Sequence, residues 1–269
     1  MNSKILYRCK VIFLAAIIVS GVLIGCIGCE KHESGASSNE QIQQPIVDNS
    51  SDQDTSPELP SDNSVNNDDL ASENIREDSE PVQGVSVAIL GNSMIESLAI
   101  YHTIPEADLF YKIGLNVSTV YTKNCVNCTG PAIEELSKKP YEVVVLVFGM
   151  NELGWSESGF ISGYASVIDS VKQYQPDARI YLHSITPVSN EVSEANQHGM
   201  SNIKIKEYNT AIQQLAEDKN VLYLNADPVF YATDGALIVD ASADGIHPEI
   251  LYTKKWTTLL RQYIKGEIL

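Results

Sequence analysis

Four short blocks carry residue types that could do chemistry together: Gly91-Asn92-Ser93-Met94, the segment ending at Gly114, Gly149-Met150-Asn151-Glu152, and Asp244-Gly245-Ile246-His247. A serine hydroxyl is a weak nucleophile until a base takes its proton, and His247 can be that base for Ser93. Asp244, three residues earlier across Gly245, can fold back to accept the Nδ1 proton and hold the tautomer. A tetrahedral oxyanion needs preorganised donors. The backbone N–H groups of Ser93 and Gly114 and the side-chain amide of Asn151 could supply them, and glycine at 114 permits close backbone approach. Each block also has a plainer use. Ser93 suits a helix N-cap, and Gly149 and Asn151 suit a turn. Asp240 competes for the acid's role and stands second because it lies seven residues from His247.

These blocks are useful only if the elements around them bring them together. Residues 85–90 form a short β-rich run ended by Gly91. Residues 141–148 contain Val143-Val144-Val145-Leu146-Val147-Phe148, apolar without alternation, as in a central parallel strand buried on both faces. Residues 180–185 and 221–224 read as further strands, and 109–113 as a weaker one. Phe160, Tyr164, Val167, Ile168, Val171 and Tyr174 sit at helical spacing, as do Ile205, Tyr208, Ile212 and Leu215. A last helix begins near Pro248 and carries Leu251, Trp256, Leu259, Leu260 and Tyr263. Alternating strands and helices imply a parallel sheet covered on both faces. Ligands of such sheets bind beyond the carboxyl ends of the strands, where the four blocks would meet.

In order and position, the blocks resemble those of the SGNH, or GDSL-type, hydrolases. That family has Gly-Asp-Ser after the first strand, a glycine in a second block, Gly-x-Asn-Asp after the third strand and Asp-x-x-His near the C-terminus. The matching residues are Ser93, Gly114, Asn151 and the pair Asp244/His247, and the resemblance covers most of residues 84–269. It implies an α/β protein: a flavodoxin-like three-layer α/β/α sandwich with a central parallel sheet of about five strands. It also implies esterase or acylhydrolase activity with no cofactor and no metal. Two positions depart from the pattern: Asn92 stands for the first-block Asp, and Glu152 for the third-block Asp. There is no Gly-x-Ser-x-Gly, so an α/β-hydrolase nucleophile elbow is not expected.

The rest of the chain speaks to location. The 269 residues carry a formal net charge of -17. Residues 31–83 contain no Phe, Trp or Tyr and hold thirteen acidic residues against Lys31 and Arg76. Such a stretch buries too little apolar surface to fold, so residues 30–83 read as a disordered acidic linker and 84–269 as the folded domain. With no basic stripe, nucleic acid is a poor partner. Lys4, Arg8 and Lys10 precede an uncharged stretch, the layout of a signal peptide over residues 1–29. Leu23-Ile24-Gly25-Cys26 resembles a bacterial lipobox, which implies lipidation at Cys26. Cys29 is second choice, and an uncleaved membrane anchor is the alternative. Each of these readings places the domain outside the cytoplasm, at the outer face of a bacterial membrane.

Cys125 and Cys128 could form a disulfide there, whereas a zinc site would need about four ligands. The same pair could serve a thiol–disulfide oxidoreductase, a rival function. A catalytically inactive glycan-binding module, suggested by Asn92, is a second rival. His183 reads as structural, His102 and His198 as loop or helix-end residues, and Asn209 as a brace. Trp155 could line a substrate cleft. The loops 151–157 and 187–191 are polar, which suits a short acyl group, acetyl above all, on a carbohydrate or other small ester. The alternative is that 189–201 folds over the site as an apolar lid.

Overall fold

The sequence Val-Val-Val-Leu-Val makes β3 (Val143–Val147), and all five of its residues are buried. β-Branched side chains on both faces demand cover on both sides, which only a central strand has. In the computed structural model, which describes residues 80–268, β3 lies between β1 (Val87–Gly91) and β4 (Arg179–His183). β2 (Ala107–Tyr111) pairs with the other edge of β1, and β5 (Leu222–Leu224) pairs with β4. All pairings are parallel, in the order β2-β1-β3-β4-β5. This is the expected five-stranded parallel sheet. The targeting segment, Cys26, Cys29 and the acidic linker up to residue 79 lie outside the described residues.

Alternation along β1 sorts the helices into layers. Val87 and Ile89 pack with Met94, Ile95 and Leu98 of α1 (Met94–Tyr101) and with Trp256, Leu259 and Leu260 of the last helix, Ile250–Lys265. Ala88 and Leu90 face the opposite core, built by Phe160, Tyr164 and Val167 of α2 (Glu157–Tyr174) and by the helix Asn202–Asp218. Ser156 and Ser201 cap these latter two helices, accepting the N–H groups of Gly159 and Lys204 at 3.2 and 3.3 Å. Among the described residues, no helix is long and apolar enough to cross a membrane.

The departures from expectation have local causes. The fourth strand ends at His183, not Ile185, because Asn209 takes both backbone groups of Ile185, accepting its N–H at 2.7 Å and donating to its carbonyl at 2.9 Å. Asn209 is thus the brace anticipated for it. The stretch 189–201 is not a bare loop: it holds α3 (Asn190–Ala195) and a 3-10 turn, Gln197–Gly199. The helix Asn202–Asp218 is α4, Asp227–Phe230 is the short α5, and Ile250–Lys265 is α6. α6 starts two residues beyond Pro248, with Glu249 as N-cap. The chain after Pro131 forms a 3-10 helix, Ala132–Ser137.

Candidate active site

The chain reverses sheet direction between β1 and β3, and the crevice of such a sheet opens at their carboxyl ends. β1 delivers Ser93 there. Asn92 N–H extends the ladder to Val147 O at 3.2 Å, and Asn92 Oδ1 accepts the Met94 N–H at 3.0 Å, starting α1. Ser93 occupies the N-cap position but its side chain makes no capping bond. Its hydroxyl oxygen instead lies 2.9 Å from His247 Nε2.

Asp244 organises the turn that presents His247 ahead of α6. Its Oδ1 accepts the N–H groups of Ile246 and His247 at 2.9 and 2.8 Å and the Ser242 hydroxyl at 2.9 Å. Its Oδ2 lies 2.7 Å from His247 Nδ1. Burial alone would raise the Asp244 pKa, but the hydrogen bond and charge of His247, with the two backbone donors, outweigh it and hold the carboxyl well below the usual carboxylate range. Asp240, the competing acid, makes no hydrogen bond to His247 among the described residues. Gly245 has φ +79°, and a Cβ there would meet Ser189 Oγ at 2.4 Å. Ser189 N–H also donates to Gly245 O at 2.9 Å, so the first turn of α3 backs the Asp244–His247 turn.

The donors come from the two neighbouring strands. Beyond β2, Leu115 N–H donates to Lys112 O at 3.1 Å, closing a turn in which Gly114 has φ +74°. Beyond β3, Asn151 Nδ2 donates to Leu115 O at 2.8 Å. A primary amide has two N–H bonds, so one remains for a ligand. Among the described residues, the N–H groups of Ser93 and Gly114 have no protein acceptor. The arrangement therefore joins Ser93, His247 and Asp244 in one hydrogen-bonded chain, and the strands on either side of β1 lead to the Gly114 N–H and the second Asn151 N–H at the same end of the sheet.

Glu152 carries more than the sequence suggests. Its side chain is fully buried, with Oε1 accepting Val117 N–H at 2.8 Å and Oε2 accepting Gly149 N–H at 2.9 Å. Burial pushes its pKa up to about 7, against the opposing pull of the backbone N–H groups of Val117, Gly149, Glu152 itself and Asn151. His183 is structural: it accepts Trp256 Nε1–H at 2.8 Å, and burial lowers its pKa to about 4. His102 caps α1 in the left-handed conformation, and His198 lies in the 3-10 turn. Trp155 is 36% exposed, and its carbonyl accepts the Tyr208 hydroxyl at 2.8 Å. Cys125 and Cys128 are joined as a disulfide. Together with Glu135 they are the metal-type cluster found among the described residues, but bonded sulfurs offer no thiolate, and Glu135 pairs with Lys138 at 2.6 Å.

Residues 124–249 match the model of the GDSL-like lipase/acylhydrolase family. That span holds Asn151, Asp244 and His247; Ser93 and Gly114 precede it. Solved structures with the same fold include a Streptococcus pneumonia protein assigned as a platelet activating factor, 21% identical over 69% of this chain and 85% of that one, with TM-score 0.55. A GDSL-like lipase from Bacteroides thetaiotaomicron is 16% identical over 75% and 98%, with TM-score 0.52. A Bacteroides fragilis protein assigned as an acylhydrolase is 13% identical over 74% and 96%, also at 0.52. No curated protein matches the sequence.

Proposed function

We propose, on the premise that the chain carries a GDSL-like lipase/acylhydrolase domain and is a carboxylic ester hydrolase, that it cleaves short-chain acyl esters with Ser93, His247 and Asp244. The observation that carries this reading is the unbroken relay from Ser93 Oγ through His247 to Asp244, at 2.9 and 2.7 Å. Ser93 Oγ attacks the ester carbonyl carbon while His247 Nε2 takes the hydroxyl proton. Asp244 holds the imidazolium so formed. The oxyanion falls to the N–H groups of Ser93 and Gly114 and the free N–H of Asn151. Collapse breaks the carbon–oxygen bond to the alcohol, which leaves with the proton from His247. Water, deprotonated by the same histidine, then cleaves the acyl-serine and restores the hydroxyl.

The substrate we propose is an acetyl ester on a carbohydrate. The loop beyond Asn151 supports it: Gly154, Trp155, Ser156 and Glu157 are all exposed, giving sugar hydroxyls polar partners and one aromatic face. The cavity behind the Ser93 turn, lined by Asn92, Met94, Met150 and Thr186, measures about 10 Å³, room for one water and not for an acyl chain. Segment 189–201 presents no buried residue in α3 and packs on Gly245. We place the domain outside the cytoplasm, tethered through lipid on Cys26, because a tethered enzyme meets envelope glycans first. Loss of lipid labelling in Cys26→Ala would support the tether; labelling that moves only with Cys29→Ala would transfer the site.

The substrate is tested by kcat/KM on p-nitrophenyl acetate, butyrate, octanoate and palmitate, together with acetate release from an acetylated polysaccharide. The reading expects a maximum at acetate and Ser93-dependent release. A maximum at octanoate or beyond would replace it with a lipase-like role, since each buried methylene is worth about 0.8 kcal/mol to an enzyme with an acyl channel.

A further inference from the structure

The two loops that supply the oxyanion donors are joined at two levels. At the rim, Asn151 Nδ2 bonds Leu115 O at 2.8 Å. Beneath it, out of solvent, the Glu152 carboxylate spans the same two loops: one oxygen on Val117 N–H, three residues beyond Gly114, and the other on Gly149 N–H, two residues before Asn151. We propose that Glu152 is a positioning residue, its carboxylate clamping the Gly114 and Asn151 loops at the spacing the oxyanion requires. This inference rests on the esterase reading above.

The clamp is unusual in having no cation. The titratable groups that face Glu152 are the phenols of Tyr164 on α2 and Tyr208 on α4. Both hydroxyls donate elsewhere, to Leu146 O at 3.0 Å and to Trp155 O at 2.8 Å. Among the described residues no Lys, Arg or His forms an ion pair with Glu152. A carboxylate accepts both N–H groups equally; a carboxylic acid carries a proton on one oxygen, which then accepts poorly. Gly149 shares a turn with Glu152, so it is protonation on Oε1 that releases the Val117 loop. The position of the group's pKa, near neutrality, puts that release within the working pH range.

The experiment pairs kinetics with amide titration. Glu152→Gln keeps the shape but sets an NH₂ against one backbone N–H, so kcat should fall about 10- to 100-fold with KM changed less than about threefold. Glu152 must be deprotonated for the clamp to hold, so Glu152→Gln should remove one ionisation from the acid limb of kcat/KM and leave that limb less steep than the wild type's by one proton. Glu152→Asp should recover part of kcat and the steeper limb, which a merely structural role would not do. By NMR, the Val117 and Gly149 amides should titrate together near pH 7, and should still do so in His247→Ala. Wild-type kcat and an unchanged acid limb in Glu152→Gln would overturn the proposal, as would amides that stay still from about pH 5 to 9. This second readout needs no folded Glu152 variant. Absence of ester turnover in the wild type would defeat the esterase reading instead, and the amide titration would still decide the clamp.

Discussion

Asn92 Oδ1 accepts the Met94 N–H at 3.0 Å, and the next two N–H groups of α1, those of Ile95 and Glu96, turn to the carbonyls of Asn92 and Ser93 at 3.2 and 3.0 Å, so the turn is closed without the Ser93 hydroxyl. The Ser93 hydroxyl is left to face His247. The cap needs only an acceptor oxygen, so the Asn that replaces the usual Asp keeps the turn. Asn92→Asp should therefore retain kcat within about tenfold. Asn92→Ala should lose about 1 kcal/mol of stability and more activity than Asn92→Asp, because the turn carrying the nucleophile loosens. Urea unfolding and steady-state kinetics check both; equal activity in the two variants would remove the cap from the account.

Asp244, not Asp240, should be the residue whose carboxylate matters. Asp244→Asn should lower kcat by about 10³- to 10⁴-fold, because the imidazole loses both its tautomer and the charge that stabilises it. Asp240→Asn should stay within about twofold. A larger loss for Asp240→Asn would mean that the acid has been misassigned.

Two buried groups should oppose each other in the pH dependence of stability. Glu152 titrates in the fold at about 7 against an ordinary value of 4.5. Its contribution is fully present below about 4.5 and is lost as pH rises through about 7. His183 titrates in the fold at about 4 against 6.5. Its contribution is present above about 6.5 and is lost as pH falls toward about 4. Each is worth about 3 kcal/mol across its window, with opposite sign. Wild-type stability should thus be nearly flat from about pH 4.5 to 6.5. Glu152→Gln should unmask the His183 half, gaining about 3 kcal/mol over that range in urea unfolding. A flat profile in the variant would contradict the pairing.

The strands are legible in the sequence because their pattern is strong: an unbroken apolar run such as 143–148 has few homes except the centre of a parallel sheet. Their ends are less so, since the end of β4 is set by Asn209, a side chain from another helix. α1 hides inside the Ser93 block, and segment 189–201 looks like a loop because α3 buries none of its residues. Asp244 and His247 lie on one turn, so their spacing alone announces their contact. The partnership of Ser93 with His247 spans 154 residues and is readable only through strand order. Glu152 looks like a mild substitution in sequence. Which way it points, and that it spans two loops, depends on the β2 loop folding beneath Asn151.

The central claim is that Ser93 is the nucleophile, and the most direct measurement is p-nitrophenyl acetate turnover by purified wild-type and Ser93→Ala protein, with circular dichroism to establish that both are folded. Wild type should turn over with a burst of p-nitrophenol if deacylation is the slower step. Ser93→Ala should lose about 10³-fold or more in kcat while unfolding at a similar urea concentration, since members of a triad act as a unit. A folded Ser93→Ala protein that hydrolyses the ester at the wild-type rate would contradict the account.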